Sequence, residues 1–265
     1  AGWDRISEIL ALDTDLMTVE SGAAGEAHLL EFKNVKFGYP EGKTVLHDVN
    51  FTLEPGKTYA LVGPTGGGKT TTASLMARLF DPTEGTVLLN GRDIRSYSDA
   101  ERTQKIGFIL QEPFLFAGTL LENIFYGHTE FEGRSVDEQK AAITSAGLEG
   151  LLSRFDQGLD TQIAIGTDAM SLGQRQIIAF MRAVLRKPEL LILDEATANI
   201  DTVTEQLLGE ILEKLPTSTT RVVIAHRLNT IENADTIFFV NGGEITEAGS
   251  LDQAVEMLMK GNRQS

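Results

Sequence analysis

Gly63-Pro64-Thr65-Gly66-Gly67-Gly68-Lys69-Thr70 fits the pattern G-x-x-x-x-G-K-[ST]. The residue types explain what such a loop does. Glycines open backbone torsions closed to other residues and remove Cβ atoms, so successive N–H groups can surround phosphate oxygens. A lysine at Lys69 is placed for β- and γ-phosphates, and the Thr70 hydroxyl suits Mg²⁺. The pattern carries meaning only between a strand and a helix. Thr58-Tyr59-Ala60-Leu61-Val62 supplies the strand, and Thr70 to Leu79 reads as the helix. That helix aims the positive end of its dipole at the phosphates. A chance glycine-rich turn is the blander reading, and the rest of the chain decides against it.

At 265 residues the chain holds one large α/β domain or two small ones, with a sizeable core. Hydrophobic residues at 42% and charged residues at 23% are ordinary for a globular protein. A net charge of −15 argues against nucleic acid as the main partner, since that binding is driven by Lys and Arg. It does not exclude a nucleotide, whose phosphates need one local cradle. With no cysteine there are no disulfides, thiol chemistry or thiolate metal sites. No signal peptide is visible, nor an apolar run near the roughly 20 residues a membrane helix needs. Ala1 stands inside what reads as a helix, the expectation for a piece of a longer chain.

Trp3, Ile6, Ile9, Leu10 and Leu12 fall near helical spacing, either a short helix on the domain or the tail of a longer one. Thr18 to Ala27 is a flexible connection. From Leu29 to Leu53 the alternation is β, with segments at Leu29–Phe37, Val45–Leu46 and Val49–Leu53. Thr86–Leu89 and Ile106–Leu110 read as strands, the latter ending at Gln111. Between about Thr119 and Ala169 the character turns helical, with Val136–Ala146 and Leu148–Phe155 as segments. Ser171 opens a long helix stopped by Lys187-Pro188. Leu190-Leu191-Ile192-Leu193 has the pattern of a parallel strand buried on both faces. A helix over Thr202–Leu215, strands at Arg221–Ala225 and Thr236–Val240, a turn at Asn241-Gly242-Gly243 and a helix over Leu251–Lys260 complete the chain. Alternating strands and helices predict a parallel sheet covered on both faces.

Open parallel sheets bind ligands beyond the carboxyl ends of their strands. Four strand ends here carry polar groups: the phosphate loop, Gln111, Asp194-Glu195 and His226. Asp194, after an apolar strand, suits a carboxylate that holds Mg²⁺ directly or through water. Glu195 beside it is free to act as general base toward the attacking water. His226 is placed to stabilise the γ-phosphate region, and the Gln111 amide to reach metal or water. His28, His47 and His128 read as structural.

Met170-Ser171-Leu172-Gly173-Gln174-Arg175-Gln176 resembles the L-S-G-G-Q signature of ATP-binding-cassette ATPases, and it stands just before the Asp194 strand, as in that family. The resemblance runs from about Leu29 to Lys260. It implies a P-loop NTPase core of α/β class with a mixed, mostly parallel sheet, an N-terminal antiparallel β subdomain and an inserted helical subdomain at about 116–186. It implies ATP and Mg²⁺ as cofactors. Gly63, Pro64, Thr65, Gly66, Gly67, Gly68, Lys69, Thr70 and Thr71 would hold phosphate, and Tyr39 would stack on adenine. Metal contacts would come from Thr70, Gln111 and Asp194, and catalysis from Glu195, His226 and Gln111. Ser171, Gly173 and Gln174 would face the phosphate loop of a second cassette. Ala198-Asn199-Ile200-Asp201 would communicate across the dimer, with Asp201 at the nucleotide.

A subtype is legible too. Gln111-Glu112-Pro113-Phe114-Leu115-Phe116-Ala117-Gly118-Thr119 with Glu122-Asn123-Ile124, and Ile224-Ala225-His226-Arg227-Leu228, look like the exporter branch. That branch implies a preceding six-helix membrane domain in the same polypeptide. Residues 1–28 would then be the linker helix and connection leaving it, and 261–265 a tail. Gln111 to Asn123 would touch its coupling helices, and the domain would work at the cytoplasmic face of the membrane without inserting.

The chain departs from the family at two places. Leu172 stands where the signature has its first glycine, and Met170 where it has leucine. Ala164-Ile165-Gly166-Thr167 stands where exporters usually carry G-E-x-G. Degenerate contacts beside intact Glu195, His226 and Gln111 resemble one half of a heterodimeric exporter; a homodimer that tolerates Leu172 is the plainer alternative. A mainly regulatory cassette with weak hydrolysis is the competing function. A soluble cassette acting on ribosomes or DNA is disfavoured by the acidic charge and by the lack of a second cassette.

Overall fold

The computed structural model describes residues 16, 18–19, 28–40, 42–164, 170–194, 201–224, 233–249 and 251–261. The expected N-terminal helix with Trp3, Ile6 and Ile9 lies outside them.

Strands β1 (Leu30–Gly38), β2 (Thr44–Leu53), β4 (Glu84–Leu89) and β5 (Arg92–Asp93) form an antiparallel sheet in the order β2-β1-β4-β5. A six-stranded sheet runs β12-β11-β3-β10-β9-β6, from β3 (Thr58–Val62), β6 (Ile106–Ile109), β9 (Leu190–Asp194), β10 (Thr220–Ile224), β11 (Thr236–Asn241) and β12 (Glu244–Ala248). All its pairings are parallel except β11 with β12. The expected mixed, mostly parallel sheet and the antiparallel subdomain are both present.

Strand β9 shows why the order of layers follows from sequence. All five of its residues are buried. Leu190 and Ile192 join the core beneath the antiparallel sheet, while Leu191 and Leu193 join the core of the helical layer. The two-residue period of a strand splits an unbroken apolar run between two cores. Helix α1 (Lys69–Met76) lies in the first core, with Leu75 and Met76 among Phe32, Leu46, Ile192 and Ile224. Each such side chain contributes about 2 kcal/mol on burial. Thr72 and Ser74 of α1 survive burial by bonding back along the helix: Thr72 Oγ1 donates to the Gly68 carbonyl and Ser74 Oγ to that of Thr70, each at 2.8 Å.

Helix α1 is shorter than the expected run to Leu79. Arg78 takes a left-handed φ of 52°, and the Leu79 N–H donates to the Ser74 carbonyl at 2.8 Å, closing the helix as a Schellman motif. Helix α2 (Asp99–Lys105) was not anticipated, although the Ser98/Glu101 capping box announces it. The two β segments of residues 45–53 are one strand, irregular beside Asp48 at φ 50°.

The helical layer comprises α3 (Leu120–Ile124), α4 (Val136–Ser145), α5 (Leu172–Leu185) and α6 (Thr202–Glu213). A two-stranded antiparallel pairing of β7 (Gly118–Thr119) with β8 (Gln162–Ile163), distant in the chain and unforeseen in the sequence, closes off this layer. Leu148–Phe155 is not an α-helix: Glu149–Arg154 winds as a 3₁₀ turn. Leu148 and Leu151, three apart, are both fully buried, the spacing a three-residue turn aligns. Helix α7 (Leu251–Gly261) closes the fold, its Ala254 packed with Ala60, Val62 and Ile237. Among the described residues no helix is long and apolar enough to cross a membrane.

Candidate functional site

The phosphate loop leaves β3 at Gly63, whose φ is 149°. A Cβ there would stand 1.9 Å from the Val240 carbonyl oxygen, so the loop lies flat on the end of β11 as only glycine allows. The turn between β11 and β12 grips the loop from behind. The Gly243 N–H donates to the Gly67 carbonyl at 3.1 Å, and the Gly243 carbonyl accepts from the His47 N–H of β2 at 2.8 Å. The back of the loop is thus fixed by main chain, while Thr65 and Gly66 at its mouth are exposed.

Lys69, the first residue of α1, is only 6% exposed. Its Nζ donates to the carbonyls of Gly63 at 2.9 Å and Pro64 at 3.0 Å, which curls the ammonium over the loop. A buried ammonium beside a helix N-terminus with no acidic residue in its first turn favours an anion there. Thr70 is exposed at the same terminus, and Thr71 is buried. The Thr71 Oγ1 lies 3.2 Å from the Tyr39 hydroxyl. Tyr39 is 40% exposed, and its ring meets Phe37 and Phe80 edge-on with centroids 5.0 and 5.3 Å away. Three contacts therefore orient an aromatic surface beside the loop.

Asp194 ends β9 and is buried; Gln111, two residues past β6, is exposed. Ile109 pairs with Leu193, and Asp194 with Ile224, so Gln111 and Asp194 share a sheet edge with the phosphate loop. One strand, β10, separates β9 from β3, which spaces them about 10 Å apart. Glu195 and His226 follow the ends of β9 and β10 in the chain but lie outside the described residues. So do Ala198, Asn199, Ile200 and the run Ile165-Gly166-Thr167. The donor set near the loop is one carboxylate, one hydroxyl, one amide and one ammonium. Hard oxygens with few charges fit Mg²⁺ carried on phosphate rather than a dedicated protein cage. Among the described residues no cluster of three or more His, Cys, Asp or Glu side chains forms such a cage.

Ser171, Gly173 and Gln174 sit at the start of α5, in the helical layer. The Ser171 hydroxyl accepts from the Gln174 N–H at 3.1 Å, and the Gln174 side-chain oxygen accepts from the Ser171 N–H at 3.0 Å. This capping box is worth about 1 kcal/mol to the helix. Gln174 Nε2 also donates to the Arg154 carbonyl at 2.9 Å. Met170 packs, partly buried, against the helical core. Asp201 caps α6: its Oδ2 accepts from Thr204 Oγ1 at 2.6 Å, and Arg154 Nη2 lies 3.4 Å from Oδ1. The Thr204 hydrogen bonds, then Arg154, hold its carboxyl below the usual range. Arg154, Gln176 and the Gly243 turn reach these segments through contacts distant in the chain, which no local pattern marks.

The sequence profile described as "ABC transporter" matches residues 46–198. The chain is 44% identical over 226 residues to the "Uncharacterized ABC transporter ATP-binding protein YfiC" of Bacillus subtilis, covering 85% of this chain and 37% of that protein. It is 38% identical over 256 residues to the "Probable multidrug resistance ABC transporter ATP-binding/permease protein YheH" of the same organism, covering 96% and 37%. The solved "Structure of a bacterial Atm1-family ABC exporter with ATP bound" superposes with a TM-score of 0.82 at 31% identity, over 97% of this chain and 46% of that one. The chain thus spans less than half the length of these relatives. A phosphate loop, a buried strand-end carboxylate and a serine-capped helix ahead of that strand recur together in one family, and the chain belongs to it: it is an ATP-binding domain of the ABC transporter family, exporter type.

Proposed function

We propose that this domain binds Mg²⁺·ATP and hydrolyses it to drive export through a membrane domain. The observation that carries the reading is the single sheet edge shared by the phosphate loop, Gln111 and Asp194. The loop amides and Lys69 hold the β- and γ-phosphates, and Tyr39 offers its ring to adenine. Thr70, Gln111 and Asp194 would hold Mg²⁺, which when bound neutralises charge building on the phosphates. Glu195 takes the proton of the attacking water, and His226 keeps base and γ-phosphate in line. The working unit is residues 29–260, at the cytoplasmic face of the membrane, with Gln111 to Asn123 turned to the coupling helices.

The other half of the ATP site comes from a second cassette. Ser171, Gly173 and Gln174 face that partner's phosphate loop, and Asp201 reports across the interface. Because Leu172 adds a side chain where the signature has glycine, the partner is a different subunit whose own ATP site is the weaker one. Mixing this chain's transporter with its partner should raise ATPase activity above either alone; full activity alone, with no gain on mixing, overturns the heterodimer. For hydrolysis itself the test is Glu195→Gln, expected to lower kcat by about a hundredfold or more while ATP affinity stays within about threefold. Turnover near wild type would remove Glu195 from the role of base. A regulatory cassette would instead show slow single-turnover hydrolysis before any mutation.

A further inference from the structure

Helix α5 carries, one turn beyond its Ser171 cap, a buried amide that its apolar packing does not require. Gln176 is 1% exposed and sits beside the buried Ile177, Ile178 and Phe180. Its Nε2 donates to the Gln111 carbonyl at 3.1 Å. Its Oε1 is buried and has no hydrogen-bond partner among the described residues. An unmet acceptor costs stability, so an apolar side chain of the same length would pack there at less cost.

The helix reaches two site segments from opposite sides. Gln174 and Gln176 are two positions apart, about 200° around the helix axis. Gln174 holds the Arg154 carbonyl, and the Arg154 guanidinium reaches Asp201. Gln176 holds Gln111. Farther along, α5 grips the chain that follows Gln111 with charged donors: Arg182 Nε to the Asn123 carbonyl at 2.8 Å, Arg182 Nη1 to that of Phe114 at 3.3 Å, and Arg186 Nη2 to that of Tyr126 at 3.1 Å. Charge-assisted bonds are about twice as strong as neutral ones. The segment is therefore fixed firmly at its far end and by a neutral amide where it meets the ATP site.

We propose that Gln176 is a positioning residue: its amide sets the Gln111 main chain against the phosphate site and passes displacement of the Ser171 end of α5 to it. The proposal rests on the reading that Gln111 serves the ATP site. An acceptor unmet among the described residues fits this role, because the Gln111 bond is then retained at the expense of stability.

The test is Gln176→Met in the intact polypeptide that carries this domain, with Ile178→Val as a packing control on the same helix. Gln176→Met should lower kcat about tenfold at nearly constant KM for ATP, the effect of a small misplacement. Amide exchange of residues 110–114 should quicken about tenfold while that of α5 stays put. Its melting temperature should hold or rise, since the unmet acceptor is gone. A merely structural glutamine would lower melting temperature and kcat together, and that result overturns the proposal. So does unchanged exchange at 110–114, or the same changes in Ile178→Val. If exchange quickens but neither Gln176→Met nor Gln111→Ala slows hydrolysis, the tether stands and the assignment of Gln111 falls.

Discussion

Gly243→Ala tests whether the turn behind the phosphate loop holds the loop in shape. Gly243 has φ 82°, and a Cβ there would lie 2.2 Å from the Val45 carbonyl oxygen and 2.7 Å from His47 Cδ2. The left-handed backbone alone costs an alanine about 1–2 kcal/mol. The overlap is with main chain of β2, which cannot swing aside as a side chain does. Relief moves the turn outward and stretches the Gly243 bonds to Gly67 and His47, each worth about 1 kcal/mol. Together the loss is roughly 3 kcal/mol, a fall of about 10 °C in melting temperature for a domain of this size. Freed from Gly243, the Gly67 carbonyl rotates and the neighbouring loop amides lose their aim, so ATP affinity should fall about tenfold. Gly242→Ala is the control: φ is 58°, yet nothing lies within 4 Å of its Cβ. Melting curves and equilibrium binding of a fluorescent ATP analogue measure both effects. Equal behaviour of the two variants would refute the bracing argument, because it would leave backbone strain as the whole effect.

Tyr39→Ala should raise the ATP dissociation constant about tenfold or more, since base–aromatic stacking is worth about 1–3 kcal/mol. Tyr39→Phe should stay within about threefold, because the hydroxyl bond to Thr71 is half-exposed and neutral. Titration calorimetry without Mg²⁺ separates the two, and equal losses would assign the effect to the hydroxyl. His128 predicts a pH slope. Burial, then Arg186 nearby, pushes its imidazole down to about 4, against an ordinary value of 6.5. The folded state disfavours the proton that the unfolded state accepts, so this stabilisation is complete above about pH 6.5 and is lost down to about pH 4. The loss is at most about 3 kcal/mol. His128→Leu should flatten the stability profile between those limits, read by urea melts at fixed pH; an unchanged slope would assign the dependence to other groups.

The fold was legible wherever hydrophobic pattern and strand length agree. Leu190–Leu193 is the clearest case, an unbroken aliphatic run with the pattern of a central parallel strand, and β9 is buried on both faces. The phosphate loop was legible because glycine and lysine at fixed spacing have few other uses. What escaped was set by contacts distant in sequence. Nothing local distinguishes Gly243 from any hairpin glycine; its role comes from β2 and the loop meeting there, nearly 200 and 180 residues away respectively. Leu148–Phe155 misled because a three-residue spacing of leucines fits the edge of an α-helical pattern as well as a 3₁₀ turn. Helix α2, all of its residues partly or fully exposed, has no apolar stripe to find and is marked only by its cap.

The start of α5 sharpens what Leu172 changes. Ser171 has spent one acceptor lone pair on the Gln174 N–H, and its hydroxyl proton is still a donor. By the geometry of helix ends, the N–H groups of Leu172 and Gly173 have no partner within the helix. Two amides and a hydroxyl therefore remain for an anion presented to this terminus, the same number a glycine at Leu172 would leave. Leu172 takes the first helical position, where φ is negative and a side chain brings no strain. The substitution thus removes no donor and distorts no backbone; what it adds is the volume of an isobutyl group in the first turn. On the proposed pairing with a second cassette, any weakening of that cassette's ATP site by Leu172 is then a matter of distance, felt most by the terminal phosphate and least by the adenine end of the nucleotide.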